Sequence, residues 1–294
     1  MPPAAQRTLV SASPARGVLA SDGRSHQRIL PCPELAPYVA HFWWVTWDLT
    51  QPFRAETLPH PTAHLIFESH STSTTRTRNR ASVHGVPTRR FTRTLRDRGR
   101  VFGIKLRPAA LRAFTRAPAS RFTDHRAPIS NLLGPDGAIL ARSLRDTTTA
   151  TTTTTVITTL TLAQCIAIAE PFLLSRATPL APDVAAIRDL VDRIEHDRTI
   201  RRAEDAARIL GCDERTLQRR FNTHVGVGAK SVIQRYRLME AVEQLKHPNP
   251  QSLAALAADL GYADQAHFSR DFAAVVGQTP RAYAAKAAPT ARRR

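Results

Sequence analysis

Hydrophobic positions change their period near the middle of the chain. Between Glu34 and about Arg107 they fall in short aromatic or β-branched runs: HFWWVTWDL at 41–49, AHLIFES at 63–69, ASVHGV at 81–86 and RVFGIKL at 100–106. Pro, Thr and Gly separate these runs, which predicts an antiparallel sheet or small barrel. From Pro108 the pattern turns helical, with segments expected at AALRAF (109–114) and ISNLLG (129–134). In 184–196, Val184, Ile187, Leu190, Val191 and Ile194 form one apolar stripe. In 229–247, Val232, Ile233, Tyr236, Met239, Val242 and Leu245 form another. That segment predicts a single amphipathic helix of about 19 residues, roughly 28 Å long, stopped by HPNP at 247–250.

The expected fold class is α+β: a mainly antiparallel β domain at 31–135, then an all-α domain at 183–286. Residues 1–30, rich in Ala, Pro, Ser and Arg without sustained periodicity, are expected as a disordered leader. Residues 136–182 are expected as a Thr-rich linker or helical segment, and 287–294 as a basic tail. Within the linker, 147–161 holds 11 Thr in 15 positions. Thr is a poor helix former because branching at Cβ restricts χ1. The stretch reads as an expansion at a tolerant inter-domain site, with a strained helix held by LAQCIAIAEPFLL (162–174) as the alternative.

The helical half contains the same punctuation twice. AEDAARILGCDERTLQRRFNTHVG (203–226) and SLAALAADLGYADQAHFSRDFAAVVG (252–277) each read as two short helices joined at a glycine. Asp213 and Asp264, Leu217 and Phe268, Arg219 and Arg270, Phe221 and Phe272, and Gly226 and Gly277 all differ by 51. Gly211 and Gly261 differ by 50, so the second turn is one residue longer. Such pairs are helix-turn-helix units, whose second helix presents its outer face to the DNA major groove.

Asp213 and Asp264 are placed as N-caps of the second helices. Leu217, Phe221 and Val225 face inward, which leaves Glu214, Arg215, Gln218 and Arg219 outward. In the second unit Phe268, Phe272 and Val275 are internal, and Gln265, Ala266, His267, Ser269 and Arg270 are outward. Arg suits guanine O6 and N7, and Gln suits adenine N6 and N7. Lys230, Arg235 and Arg237 on the connecting helix are candidates for phosphate contact, which positions a protein without reading sequence. A linker of roughly 28 Å would place two recognition helices in major-groove segments about one turn, roughly 34 Å, apart.

Residues 184–285 resemble the DNA-binding domain of AraC/XylS-type transcription regulators. The resemblance rests on AARILGCDERTLQRRF, RYRLMEAVEQL and LAADLGYADQAHFSRDFAAVVGQTPRAYAA. It implies a base-reading set of Arg215, Gln218 and Arg219, then Gln265, His267 and Arg270. Glu214, Ser269, Lys230 and Arg237 are the accompanying DNA-contact candidates. The chain departs from the family at Gly228 and Ala229, where members often carry Ser or Thr and then Pro. LPHPTAHLIFE (58–68), VHGVPTRRF (83–91) and VFGIKLRPAALRAF (101–114) resemble, more weakly, the small β-rich domain that precedes this unit in many actinobacterial-type regulators.

Composition agrees with a polyanionic partner: 42 Lys plus Arg against 24 Asp plus Glu give a net charge of +18. Arg76 to Arg126 alone hold 15 basic residues against Asp97 and Asp124. That cluster reads either as an anionic effector site or auxiliary DNA contact, or as an Arg-rich solvated surface, and the last is favoured. Cys32, Cys165 and Cys212 lack any metal or disulfide spacing, and neither Cys32 nor Cys165 resembles a reactive alkyl-transfer thiol. His60, His64 and Glu68 sit four apart, about 13 Å between neighbours on a strand, which does not favour a metal. Neither enzyme chemistry nor a cofactor is expected. No apolar run reaches the roughly 18 residues of a membrane span, and no secretory h-region is seen, so a cytoplasmic protein is the default. The expectation is a bacterial sequence-specific regulator of double-stranded DNA, an activator that is a monomer or homodimer. RNA polymerase and a small-molecule effector of the N-terminal domain are further candidate partners. The rival is an effector-binding or scaffold module whose helix pairs contact protein.

Overall fold

A computed structural model describes residues 9–11, 18–20, 25–71, 77–145, 147–150, 155–247 and 250–287. The first half is built on strands β1 (Leu9–Ser11), β2 (Val18–Ala20), β3 (Ser25–Ile29), β4 (Val39–Thr57), β5 (His64–Ser71), β6 (Thr77–His84), β7 (Phe91–Leu106) and β8 (Arg126–Pro128). They form one sheet in the order β1-β3-β4-β7-β5-β6-β8, with β2 pairing β4, and every pairing is antiparallel. The aromatic and β-branched runs of the sequence lie in β4 to β7.

Side chains alternate across a pleated strand, and the two faces of this sheet have different fates. Phe42, Leu65, Phe67, Val83, Phe102 and Ile104 point to one face and are buried. Helices α1 (Ser130–Ser143) and α2 (Leu162–Arg176) cover that face with Leu140, Cys165, Ile166, Ala169 and Leu173. The other face carries His41, Lys105, His64 and His84 in one cross-strand row. A small cluster of Trp47, Ile66, Leu95 and Val101 also lies there.

Several boundaries differ from the sequence expectation. The stretch expected as a disordered leader contributes β1, β2 and β3, because its short β-branched pieces find partners in β4 or in one another. The described residues of the Thr-rich stretch are not helical: β9 (Thr147–Ala150) pairs antiparallel with β10 (Thr155–Thr158), the extended state that β-branched residues favour. Thr161 then caps α2 in a reciprocal capping box with Gln164. The segment at 109–114 is a 3-10 turn, Ala110–Ala113, and α1 bends at Gly134 before Pro135.

The second half is helical: α3 (Pro182–His196), α4 (Ala203–Leu210), α5 (Glu214–His224), α6 (Ala229–Gln244), α7 (Leu253–Asp259), α8 (Gln265–Val276) and α9 (Pro280–Ala287). The apolar stripe of α3 is buried as the spacing requires. One core runs through all these helices and includes Leu58, Val86 and Ala109 from the sheet side. Helix α6 ends at Gln244, shorter than expected from the pattern, and its 16 residues span roughly 24 Å. None of the described helices is long and apolar enough to cross a membrane.

Candidate nucleic-acid interface

Both helix pairs turn by the same backbone device. Gly211 (φ 65°) and Gly261 (φ 76°) adopt the left-handed conformation that ends α4 and α7. One residue later, the Cys212 N–H donates to the Ala207 carbonyl at 3.0 Å and the Tyr262 N–H to the Ala257 carbonyl at 2.9 Å. The second turn then inserts Ala263 before its cap. Asp213 accepts from the Thr216 backbone N–H at 2.8 Å, and Asp264 accepts from the His267 N–H at 2.7 Å. Hydrogen bonds from the Thr216 backbone and hydroxyl hold the Asp213 carboxyl below its ordinary value.

The inward residues fix which way each second helix faces. Leu217 and Phe221 of α5, and Phe268 and Phe272 of α8, are at most 1% exposed. Phe268 meets Phe272 edge-on with ring centroids 5.6 Å apart, and Phe272 meets Tyr283 of α9 at 5.9 Å. In the second stripe Val276 is fully buried while Val275 is half-buried, a one-residue shift from expectation.

With those faces buried, Arg215, Gln218 and Arg219 on α5 and Gln265, His267 and Arg270 on α8 are all exposed. Among the described residues, no hydrogen bond or ion pair engages the side chains of Arg215, Arg219, Gln265 or Arg270. Gln218 donates to Asn222 at 3.2 Å, and His267 Nε2 lies 3.5 Å from Asp271. Gln218 also lies over Gly228, where an added Cβ would come within 2.6 Å of its Oε1. The departure from the family at Gly228 therefore makes room for a residue of the recognition face. Helix α6 starts at Ala229 all the same, with Gly228 as its extended N-cap.

The remaining contact candidates divide. Glu214 and Lys230 are exposed at the first turns of α5 and α6, and Ser269 is half-exposed on α8. Arg237 is half-buried and donates to the Ile200 carbonyl at 3.2 Å. Arg235, expected at the surface, is 6% exposed. Helix α6 packs on several sides, so an amphipathic pattern left too much of it to solvent. Of the three residues set four apart, His64 Nδ1 accepts from the Trp43 indole N–H at 3.3 Å, while Glu68 is ion-paired to Arg93.

Two residues that sequence reasoning missed tie this interface to the sheet. Thr123 Oγ1 donates to the Gly226 carbonyl at 2.6 Å, and Arg90 Nη1 donates to the Val276 carbonyl at 2.8 Å. Arg90 sits in a run crowded with arginines, and nothing in its spacing distinguishes it.

Two exposed, capped helices bearing unspent guanidinium and amide groups, repeated at a fixed offset, define a DNA-binding protein of the helix-turn-helix class. Residues 206–286 match the family described as a helix-turn-helix domain, of the AraC type, and this match supports a DNA-binding transcription regulator. A module whose helices contact protein is not favoured. Residues 27–128 match a domain of unknown function, DUF6597. No curated protein matches the sequence. Among solved structures, the C-terminal domain of AraT, a response regulator from Geobacillus stearothermophilus, is 21% identical with a TM-score of 0.34, covering 40% of this chain and 95% of that one. Wild-type ToxT from Vibrio cholerae strain SCE256, bound to an unsaturated fatty acid, is 13% identical with a TM-score of 0.39, covering 83% and 94%.

Proposed function

We propose that α5 and α8 read base edges in two successive major-groove segments of one operator. The base-reading residues are Arg215, Gln218 and Arg219 on the first helix and Gln265, His267 and Arg270 on the second. The observation that carries this reading is their common exposure on helices whose opposite faces are fully buried. Glu214 and Ser269 flank the two sets, and Lys230 contacts phosphate. Arg237 spends a donor on the Ile200 carbonyl, so we assign it to holding the loop before α4.

The linker α6 spans roughly 24 Å, shorter than the roughly 34 Å of one duplex turn. The operator is therefore bent to bring both groove segments within reach, a deformation that itself depends on sequence. The N-terminal sheet is the ligand-responsive part of this reading: it touches the C-terminal ends of α5 and α8 through Thr123 and Arg90.

Footprinting the purified protein across genomic DNA tests the proposal. Two protected segments about one helical turn apart are expected, with affinity falling steeply as salt rises because counterions are released. Protection of one segment alone would sink the bipartite reading. Transcription reactions with purified RNA polymerase then separate activation from repression.

A further inference from the structure

The polar face of the sheet is partly enclosed. The far half of β7 folds back across it, carrying Arg93 onto Glu68 of β5, and Arg93 Nη2 lies 2.5 Å from His70. Phe91 packs against His84 at 6.4 Å between ring centroids, and the Arg126 guanidinium sits 4.8 Å over the Phe91 ring. What remains between these elements is a cavity of about 170 Å³ lined by Glu68, Arg80, Ser82, His84, Arg93 and Arg126.

Charge in that cavity does not balance. Burial would raise the Glu68 carboxyl, but its hydrogen bond with His70 and the Arg93 charge outweigh this and hold it at about 2. Burial and the Arg126 charge push His84 down to about 4, so its imidazole is neutral near pH 7. Three guanidiniums therefore face one carboxylate, which leaves two positive charges uncompensated. Among the described residues, Arg80 and Arg126 make no hydrogen bond or ion pair. Burial lowers Arg126, and the charge of Arg93 lowers it further, as mutual repulsion of clustered cations requires. Ser82 Oγ lies 3.1 Å from His84 Nε2, so a hydroxyl and an imidazole complete a set of neutral polar groups beside the cations.

From this geometry we propose that the cavity is a binding site for a compact dianion, a phosphate group or a small dicarboxylate, held by the Arg80 and Arg126 guanidiniums. The proposal rests on reading the N-terminal sheet as ligand-responsive, and it names the ligand class and the site. Guanidinium forks match the paired oxygens of both groups. A ligand charge of minus two neutralises the excess, and the volume suits a molecule of a few heavy atoms. The site is also wired to the interface already described. Arg126 lies three residues from Thr123, and Phe91 is adjacent to Arg90. Asp124 accepts hydrogen bonds from the Thr88 backbone at 2.6 Å and from the Thr88 hydroxyl, joining the two segments.

The test is thermal unfolding of the full chain in phosphate-free buffer at constant ionic strength, titrated with inorganic phosphate and, separately, succinate. A saturable rise in midpoint, about 3 °C at roughly ten times Kd, is expected with at least one probe. Acetate should not reproduce it. Arg80→Gln with Arg126→Gln should abolish the rise and raise the anion-free midpoint, since both side chains are exposed and mutually repelled. Arg219→Gln on α5 should retain the rise. Absence of a saturable shift with both probes, or an equal shift in the double variant, overturns the site. Calorimetric titration of the unmodified chain checks the same point without a variant. The effector reading stands or falls separately: operator affinity unchanged with a saturated site refutes it and leaves the site intact.

Discussion

Arg90 on the sheet side donates Nη1 to the carbonyl of Val276, 2.8 Å away and 186 positions later in the chain. That carbonyl is one of those left unsatisfied at the end of α8, where a cation is also favoured by the helix dipole. Glu56 Oε2, 3.1 Å from the same Arg90 nitrogen, fixes the guanidinium from behind. The corresponding end of α5 receives Thr123 Oγ1 at Gly226. Gly226 is equivalent to Gly277, the residue after Val276, so the sheet side grips the two recognition helices at their C-terminal ends one repeat position apart.

Removing that grip has a stability cost. Arg90→Ala should lower unfolding stability by about 2 kcal/mol, the range for a charge-assisted hydrogen bond. An added Cβ at Gly277 would meet the Arg90 guanidinium at 2.6 Å, and the backbone there has φ 84°. Gly277→Ala should therefore cost at least as much, as read by urea denaturation. Parental midpoints in both variants would show that the contact carries no energy.

Base reading predicts separable losses. Arg219→Ala and Arg270→Ala should each weaken operator binding by about 1 to 3 kcal/mol and relax preference at different base positions. Arg219→Ala is expected to cost more, because α5 offers two guanidiniums and an amide where α8 offers one guanidinium, an amide and an imidazole that is neutral in its free form near pH 7. Competition binding against a library of single-base operator variants reads both effects. Identical specificity profiles for the two variants would refute the assignment to separate groove segments.

The caps can be tested without DNA. Asp213→Ala removes the acceptor of the Thr216 N–H and should cost about 1 kcal/mol. Asp264→Ala should do the same through the His267 N–H. Asp213→Asn keeps the acceptor and should recover most of the loss in a thermal melt.

Acid should destabilise the sheet before its carboxylates titrate. Burial pushes His41 to about 3 and His84 to about 4, and holds His64 well below its usual value, each with further lowering by nearby cations. A histidine whose folded value is depressed stays neutral while the unfolded chain takes up the proton. Stability from such groups is complete above about pH 6.5 and lost as pH falls toward 4, by up to about 1.4 kcal/mol per unit for each. Urea midpoints between pH 7 and 4 check the slope, and His84→Gln should flatten it.

The recognition helices were legible in the sequence because their determinants are local. A capping aspartate, a left-handed glycine and apolar residues four apart act within one turn or two, and each leaves a fixed offset in the text of the chain. Leu217, Phe221, Phe268 and Phe272 follow directly, and so do the exposed residues between them. The linker helix shows the limit of that reading. Its stripe was visible, yet Arg235 is buried with Asp124 of the sheet side acting on it, which no pattern within α6 encodes.

The N-terminal half was legible as strands and not as a site. Alternation separates Leu65 and Phe67 from His64 and Glu68. It does not say that β7 folds back to bring Arg93 to Glu68, or that Arg80, Arg93 and Arg126 share a cavity. Likewise the Thr-rich segment reads from sequence only as a poor helix former, and the pairing of 147–150 with 155–158 is not encoded in its pattern. By itself the sequence determined the two repeated helix pairs, their outward residues and the strand-forming runs, since these rest on contacts a few residues apart. Only the tertiary structure decided the cationic cavity and the grip of Arg90 and Thr123 on the two helix ends, because those contacts close across 25 to 186 positions, and long-range pairing is set by whole-sheet register and core packing.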